Sequence, residues 1–400
     1  MLLLTGRLLS TLGSQVTAIA YPLLVLAVTQ SPAKAGIVGF AGLLPHGLFG
    51  LVAGVAADRW NRKRLMIAAD GVRALAIAAL AATILLDRVS FWQIAVVAFV
   101  EGTGSVFFNT AHAGALRAIV PPQQLPAAVG VIRARSATVM LAGPPLGGAL
   151  FTLGRAVPFV FDAVSYAFSF LSLVLMRTPF QEERVVDPAR LRTQLVEGFR
   201  FLWSRPFLRT CAFLYGLGNF TIPGILLVVV VAGQQHGLSS TGIGVLVAAF
   251  GACILLGSLL SPIFRRRLSV RAILLLELWT GLGIVAFVLW PNVYVLTVAI
   301  MVQGITLPVT DSVVEGYRLA VTPDRLLGRV ESARSTISLL AAPLGPLVAG
   351  SLLASTSARV TVAFFAVFTL ALALWGTLSP AIRRAPSLDE LDALPTRTAP

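Results

Sequence analysis

A series of apolar stretches, each about 20 residues long and separated by short polar turns, restricts this chain more than any other feature. A helix crossing a hydrocarbon layer needs about that length. Twelve can be marked, at 2–28, 34–57, 65–86, 90–117, 125–153, 157–177, 207–233, 238–264, 271–290, 293–318, 326–355 and 358–380. Stretches such as "AAFGACILLGSLL" and "AVFTLALALWG" are apolar all round, whereas barrel strands alternate apolar and polar residues. The expected fold class is therefore an all-α membrane protein of twelve transmembrane helices. A mean hydropathy of +0.87 with 12% charged residues leaves too little Lys, Glu and Asp to cover a water-soluble surface. The first stretch runs past Tyr21 with no small-residue cleavage pattern, so it reads as a span and not as a signal peptide. Cys211 and Cys253 fall inside spans without metal-type spacing and read as packing residues, so neither metal nor cofactor is expected.

A net charge of +14 would suggest nucleic acid in a soluble protein. Here the turns must first be sorted by side. Of the 31 Lys and Arg, 25 fall on one side and 4 on the other, with Arg7 and Arg73 inside spans. Positive charge marks the cytoplasmic side, so both termini are expected there, in the inner membrane, and the charge is a topology signal. Nucleic acid is not an expected partner.

The chain also repeats itself. "ARSATVMLAGPP" at 134–145 matches "ARSTISLLAAPL" at 333–344, and "VEGTG…LRAIVPPQQL" echoes "VQGIT…YRLAVTPDRL" at nearly the same offset. An offset near half the chain, spanning six helices, implies two six-helix bundles of like orientation, a transporter architecture with the substrate site between them. The expected organisation is a first bundle at 1–177, a cytoplasmic linker at 178–206, a second bundle at 207–382 and a cytoplasmic tail at 383–400. In the linker, Leu191, Leu195, Phe199 and Leu202 share one helical side, which predicts an amphipathic helix at the membrane interface.

A dense run of charge, five residues in twelve, lies in "GVAADRWNRKRL", residues 54–65, between the second and third spans. Gly54 would permit close helix approach, Asp58 can accept charge-assisted hydrogen bonds, and Arg62 can reach a carboxylate. Arg59, Lys63 and Arg64 also fit the topology bias, but an acid at 58 opposes it and reads as a specific pairing group. This turn resembles the motif of the major facilitator superfamily, Gly-x-x-x-Asp-Arg-x-Gly-Arg-Arg/Lys: Gly54, Asp58, Arg59, Arg62 and Lys63 match, while Asn61 replaces the second glycine in a turn that can still be left-handed. The resemblance implies a cytoplasmic gate holding one alternating-access state, with the Asp70 and Arg73 pair beside it. In "AGPPLGGAL", Gly143, Pro144, Gly147 and Gly148 are similar to the fifth-helix pattern of the superfamily's exporters, in which proline kinks the helix and small residues admit a neighbour. Over the whole chain the resemblance is to exporters of the macrolide-efflux and enterobactin-exporter type, partly through "FDAVSYAFSFLSL" in the sixth span. An intramembrane Arg frequent in the fourth helix of drug–proton antiporters is replaced by Ala98 here, three residues before Glu101.

Ionisable groups in hydrocarbon are costly, so each is a functional candidate. Glu101, mid-way along the fourth span, can exchange a proton as its surroundings alternate between wet and dry. Asp311, one turn from Glu315 on the tenth span, and Asp162, near the hydrated outer end of the sixth, follow it as proton-coupling candidates. Glu277 on the ninth span reads as peripheral. Gln15, Tyr21, Asn109, His112, Tyr215, Asn219 and Gln303 are candidates to line a substrate cavity. So few charges favour a lipophilic or amphipathic small molecule, a drug, siderophore or metabolite. The expectation is a monomeric secondary transporter that expels such a cargo against protons by alternating access. A lipid or lysophospholipid flippase of the same fold is the alternative. No phosphate loop, His-x-x-x-His or other catalytic set occurs, so neither a primary pump nor an enzyme is expected.

Overall fold

The computed structural model describes residues 2–119, 125–176, 191–323 and 326–385; within these, the side chains of residues 2–4, 51, 58, 116–119, 125–131, 133, 134 and 191–195 are outside the described set. The Asp58 carboxyl, most of the linker before 191 and the tail beyond 385 therefore lie outside the described residues.

Among those residues the chain is helical, without strands. The first six helices are α1 (Leu2–Thr29), α2 (Pro32–Arg59), α3 (Arg62–Leu85), α4 (Phe91–Ile119), α5 (Leu125–Leu153) and α6 (Val157–Leu175). The linker helix α7 (Leu191–Ser204) precedes α8 (Pro206–Gly218), α9 (Thr221–Gln235), α10 (Ser240–Arg267) and α11 (Val270–Thr280). After a 3-10 turn at Gly281–Ile284 come α12 (Val285–Leu289), α13 (Val293–Val321), α14 (Leu327–Ala341), α15 (Leu344–Ser355), α16 (Ala358–Leu378) and α17 (Pro380–Arg383). Among the described residues, eleven helical stretches are long and apolar enough to cross a membrane. The 28-residue α2 occupies the place of the expected second span.

Local chemistry sets where these helices start and break. Ser31, Asn61, Ser269, Asn292 and Ser357 each cap a helix by accepting a backbone N–H, which satisfies donors that a first turn leaves orphaned. Asn61 does so at φ −62°, accepting from Arg64 N at 3.1 Å. The turn is thus an N-cap and does not use the left-handed conformation that asparagine permits. Three spans are interrupted. The seventh divides at Asn219, whose side-chain amide donates to the Tyr215 carbonyl at 3.0 Å. The ninth narrows into the 3-10 turn at Gly281. The eleventh divides between Ala341 and Leu344, where Pro343 has no N–H to give.

Two compact units are formed, one of Met1–Pro188, Leu226–Ala248 and Pro343–Ser355, the other of Ala189–Ile225, Ala249–Ala342 and Thr356–Pro400. The grouping follows packing; the repeat borders at 177 and 207 rest on the sequence alone. In the first unit α1 packs on α5 and α6, α3 lies across α4 and α6, and α2 packs on α4 and α15. Met66, Ala69, Phe108, Ala111 and Leu173 close the core between α3, α4 and α6. In the second unit Phe207, Leu214, Ile273, Leu274, Val309, Val313 and Leu372 form the corresponding core of α8, α11, α13 and α16. With lipid outside, such contacts hold through close packing more than through expulsion of water.

The linker helix packs against α8 and α14. Leu202 is buried against Leu208, Ala212 and Ala333, and Gly198 sits so close to the Arg329 carbonyl that a methyl group would overlap it. Glu197 and Arg329 form an ion pair across the same contact.

Candidate functional site

Polar side chains in the first unit converge where α1, α3, α4 and α6 meet. Glu101 of α4 is the centre: the hydroxyl of Tyr21 donates to its Oε2 at 2.7 Å and that of Tyr166 to its Oε1 at 3.0 Å. Tyr166 is completely buried. Its oxygen in turn contacts Ser14 Oγ at 2.8 Å and accepts from Arg73 Nη1 at 3.4 Å. A hydroxyl has one hydrogen, so with Tyr166 donating to Glu101 this contact draws on the Ser14 hydrogen, for which the Ser10 carbonyl, also at 2.8 Å, competes.

Arg73 is held from several sides. Its guanidinium lies 4.4 Å from the centre of the Tyr166 ring and 5.0 Å from that of Phe108, cation–π distances, and it forms an ion pair with Asp70 one turn earlier on α3. Ser169 of α6 donates to the other Asp70 oxygen at 2.6 Å. Gly104 makes the room, since a methyl there would come within 2.7 Å of the arginine stem. The pair expected beside the gate thus belongs to the same buried network as Glu101. Arg7 donates to Asn109 Oδ1 at 3.2 Å and lies over Phe108, on whose ring His112 stacks.

Asp162 is buried without exposed surface, which corrects the expectation of a hydrated outer end. The cause is Gly13, which lets α1 close on α6; a methyl group there would overlap the Asp162 carboxylate and the Ser165 hydroxyl. Thr17 donates to Asp162 Oδ2 at 2.9 Å and Ser165 to Oδ1 at 3.1 Å. Thr17 also lies within reach of Glu101, so one hydroxyl stands between the two carboxyls. Asp162, Ser165, Tyr166, Ser169 and Ser172 form a buried stripe at helical spacing along α6. Within "FDAVSYAFSFLSL" that stripe was a readable signal, and sequence reasoning passed over its tyrosine and serines.

The other candidates are dispersed. Asp311 on α13 is exposed and makes no hydrogen bond to a described residue, whereas Glu315, Arg318, Glu331, Arg334 and Ser335 join α13 to α14 in a chain of ion pairs and hydrogen bonds. Tyr215 donates to the Leu274 carbonyl at 3.1 Å, Asn219 to Ser338 Oγ at 2.6 Å, and Gln303 faces Gly281. Gln15 packs against Gly143.

At the turn, Arg59 and Arg64 are exposed, while Arg62 is buried, donating to the Ala57 carbonyl at 3.1 Å and filling the space that Gly114 leaves. Lys63 donates to the carbonyls that end α6. No described atom of another element lies within 4 Å of a methyl group placed on Gly54. The glycines of α5 do meet neighbours. Gly147 lies against Val16 and Ile19 of α1, a methyl at Gly148 would overlap the Ser240 carbonyl, and Gly244 of α10 sits over the Pro144 carbonyl.

The family match and the relatives make this helical array a multi-pass membrane transporter, and solved structures give it the major facilitator fold. The chain belongs to the transmembrane secretion effector family, which matches residues 1–399. It is 28% identical over 405 residues to the multidrug efflux pump Tap of Mycolicibacterium fortuitum, covering 97% of each chain. It is 22% identical to macrolide efflux protein A of Streptococcus pyogenes, covering 85% of each. Among solved structures it resembles the nucleoside transporter NupG, with a TM-score of 0.77, 12% identity and coverage of 94% of this chain and 99% of that one. A bacterial homologue of the iron transporter ferroportin, in an inward-facing state, gives a TM-score of 0.73 at 19% identity, covering 94% and 97%.

Proposed function

We propose that the protein is a proton-coupled exporter of lipophilic or amphipathic small molecules that works by alternating access, with Glu101 as the carboxyl that exchanges the proton. The observation carrying this reading is a charge count. Glu101, Asp162 and Asp70 share the cluster with two arginines, Arg73 and Arg7. Full ionisation leaves one uncompensated negative charge in a buried setting, which is costly, and a single proton removes it. Asp70 is already paired with Arg73, so the proton falls to Glu101 and Asp162, with Thr17 between them.

The efflux names of the relatives support an outward direction and a drug-like cargo. Orientation follows the charge bias of the turns, with both termini in the cytoplasm and the chain a monomer in the cytoplasmic membrane. The 54–65 turn then lies on the cytoplasmic side and acts as a gate, in which Arg62 is anchored against Gly114 and Asp58 supplies the pairing acid.

The test begins with a pump-deficient bacterium expressing the chain across a panel of toxic compounds, followed by uptake of the selected compound into everted vesicles. Uptake that collapses with the pH gradient is expected. Uptake that is indifferent to that gradient, or transport of lysolipid alone, would remove the reading.

A further inference from the structure

The linker helix has a side that its packing leaves uncovered. Gly198 and Leu202 of α7 are buried against α14 and α8, while Val196, Arg200 and Trp203 share the opposite side at helical spacing. All three are exposed, Val196 by 56% and Trp203 by 57%. Apolar groups on either side of an arginine suit the boundary between hydrocarbon and water, where tryptophan collects and arginine reaches outward, better than they suit bulk water.

Trp203 marks that boundary on α8 as well. Its ring meets the Phe213 ring edge-on at 5.9 Å, and the Arg209 guanidinium lies over it, 5.2 Å from the ring centre. Arg209 and Phe213 stand one turn apart on α8, so the indole lies along the start of the seventh span with the arginine on the linker side of the phenylalanine. Arg205, the residue before α8, lies over Phe201 at 5.6 Å.

These arginines have hydrogens to give. Arg209 Nη1 donates to the Trp203 carbonyl at 3.3 Å, which leaves the rest of its five guanidinium hydrogens free for other acceptors. Among the described residues none of Arg200, Arg205 and Arg209 is in an ion pair, and the one acid of α7, Glu197, is paired with Arg329. The stretch from Arg200 to Arg209 thus holds three unpaired arginines around an exposed indole.

We infer that this stretch is a headgroup site for an anionic phospholipid. The phosphate takes charge-assisted hydrogen bonds from Arg205 and Arg209, Arg200 adds to the attraction, and the acyl chains run past Trp203 and Phe213 along α8. Charge complementarity selects the occupant, because a zwitterionic headgroup brings its own cation to the arginines and an anionic one does not. Lipid held there joins α7 to α8 on the exposed side, as Leu202 and the pair of Glu197 with Arg329 join α7 to α14 on the buried one. The site uses neither Glu101 nor its neighbours, so it stands or falls apart from the proton reading. Which leaflet it faces follows from the orientation proposed above, but binding in a disc with two like leaflets does not depend on it.

The experiment is thermal unfolding of the purified full chain in nanodiscs of phosphatidylcholine, with phosphatidylglycerol replacing it in steps at constant ionic strength. A saturable rise in the unfolding midpoint is expected. Arg200→Gln, Arg205→Gln and Arg209→Gln combined should lose most of that rise. The same charge removed from the end of α10, by Arg265→Gln, Arg266→Gln and Arg267→Gln combined, should leave it in place. Inorganic phosphate added to phosphatidylcholine discs should not move the midpoint, which separates a lipid from a free anion. Because the first triple variant can fail to fold, tryptophan quenching by brominated lipid is measured alongside. The emission that Trp203→Phe removes should be quenched more by brominated phosphatidylglycerol than by brominated phosphatidylcholine at the same fraction. Equal midpoints in the two lipids, as a site filled by the chain's own Asp389, Glu390 and Asp392 would give, overturn the proposal. So do a rise that survives in the first triple variant, a rise lost equally in both, a rise reproduced by phosphate, and quenching without preference.

Discussion

Replacing Asp70 by Asn tests whether the arginine beside Tyr166 depends on its ion pair. Arg73 is 4% exposed and Asp70 not exposed at all, so the substitution leaves a guanidinium buried without its charge partner. Breaking a buried pair from one side costs about 3–5 kcal/mol. Arg73 keeps the faces of Tyr166 and Phe108 in both proteins, so those cation–π contacts leave the difference unchanged. Ser169 also retains a partner, since an asparagine oxygen still accepts its hydrogen. The expected loss is therefore about 3–5 kcal/mol. It should show as a clearly lowered unfolding midpoint of the purified chain in detergent. The double variant Asp70→Asn with Arg73→Met removes the orphaned charge and should recover most of that loss. A single variant within about 0.5 kcal/mol of wild type, the range of ordinary surface substitutions, would refute the claim that this pair is a buried structural element of the cluster.

Three further outcomes follow from the geometry. Tyr166→Phe keeps the ring under Arg73 but removes a donor from Glu101, so gradient-driven efflux in vesicles should fall several-fold while expression stays normal; Tyr21→Phe should also lower it. Gly148→Leu forces a side chain into the Ser240 carbonyl, and overpacking of about 1–3 kcal/mol should appear as reduced monodisperse yield in size-exclusion chromatography. By contrast, Arg329→Ala breaks a half-exposed pair with Glu197, and a change below about 1 kcal/mol is expected in the unfolding midpoint.

Much of the fold was readable because lipid imposes a length: α3, α4, α6, α10 and α16 follow the expected spans without a break. The breaks were less accessible. Pro343 could have announced one, but Gly281 could not, since glycine is common inside spans and whether it loosens a helix depends on what packs against it. Glu101 stood out as a lone acid at mid-span. Its partners did not, because Tyr21 and Tyr166 reach it from helices 80 and 65 residues away. The burial of Asp162 depends on Gly13, a contact across the whole first half, so hydropathy at the end of a span pointed to water where the fold places α1.

Counting protons released when cargo binds to the purified chain in weakly buffered detergent solution tests the central claim most directly. If the cluster holds one proton between Glu101 and Asp162 and gives it up to cargo, the wild type should release about one per chain over a limited pH range, and Glu101→Gln should bind cargo and release none. Undiminished release from Glu101→Gln, or cargo binding by the wild type with no proton released at any pH, would contradict it.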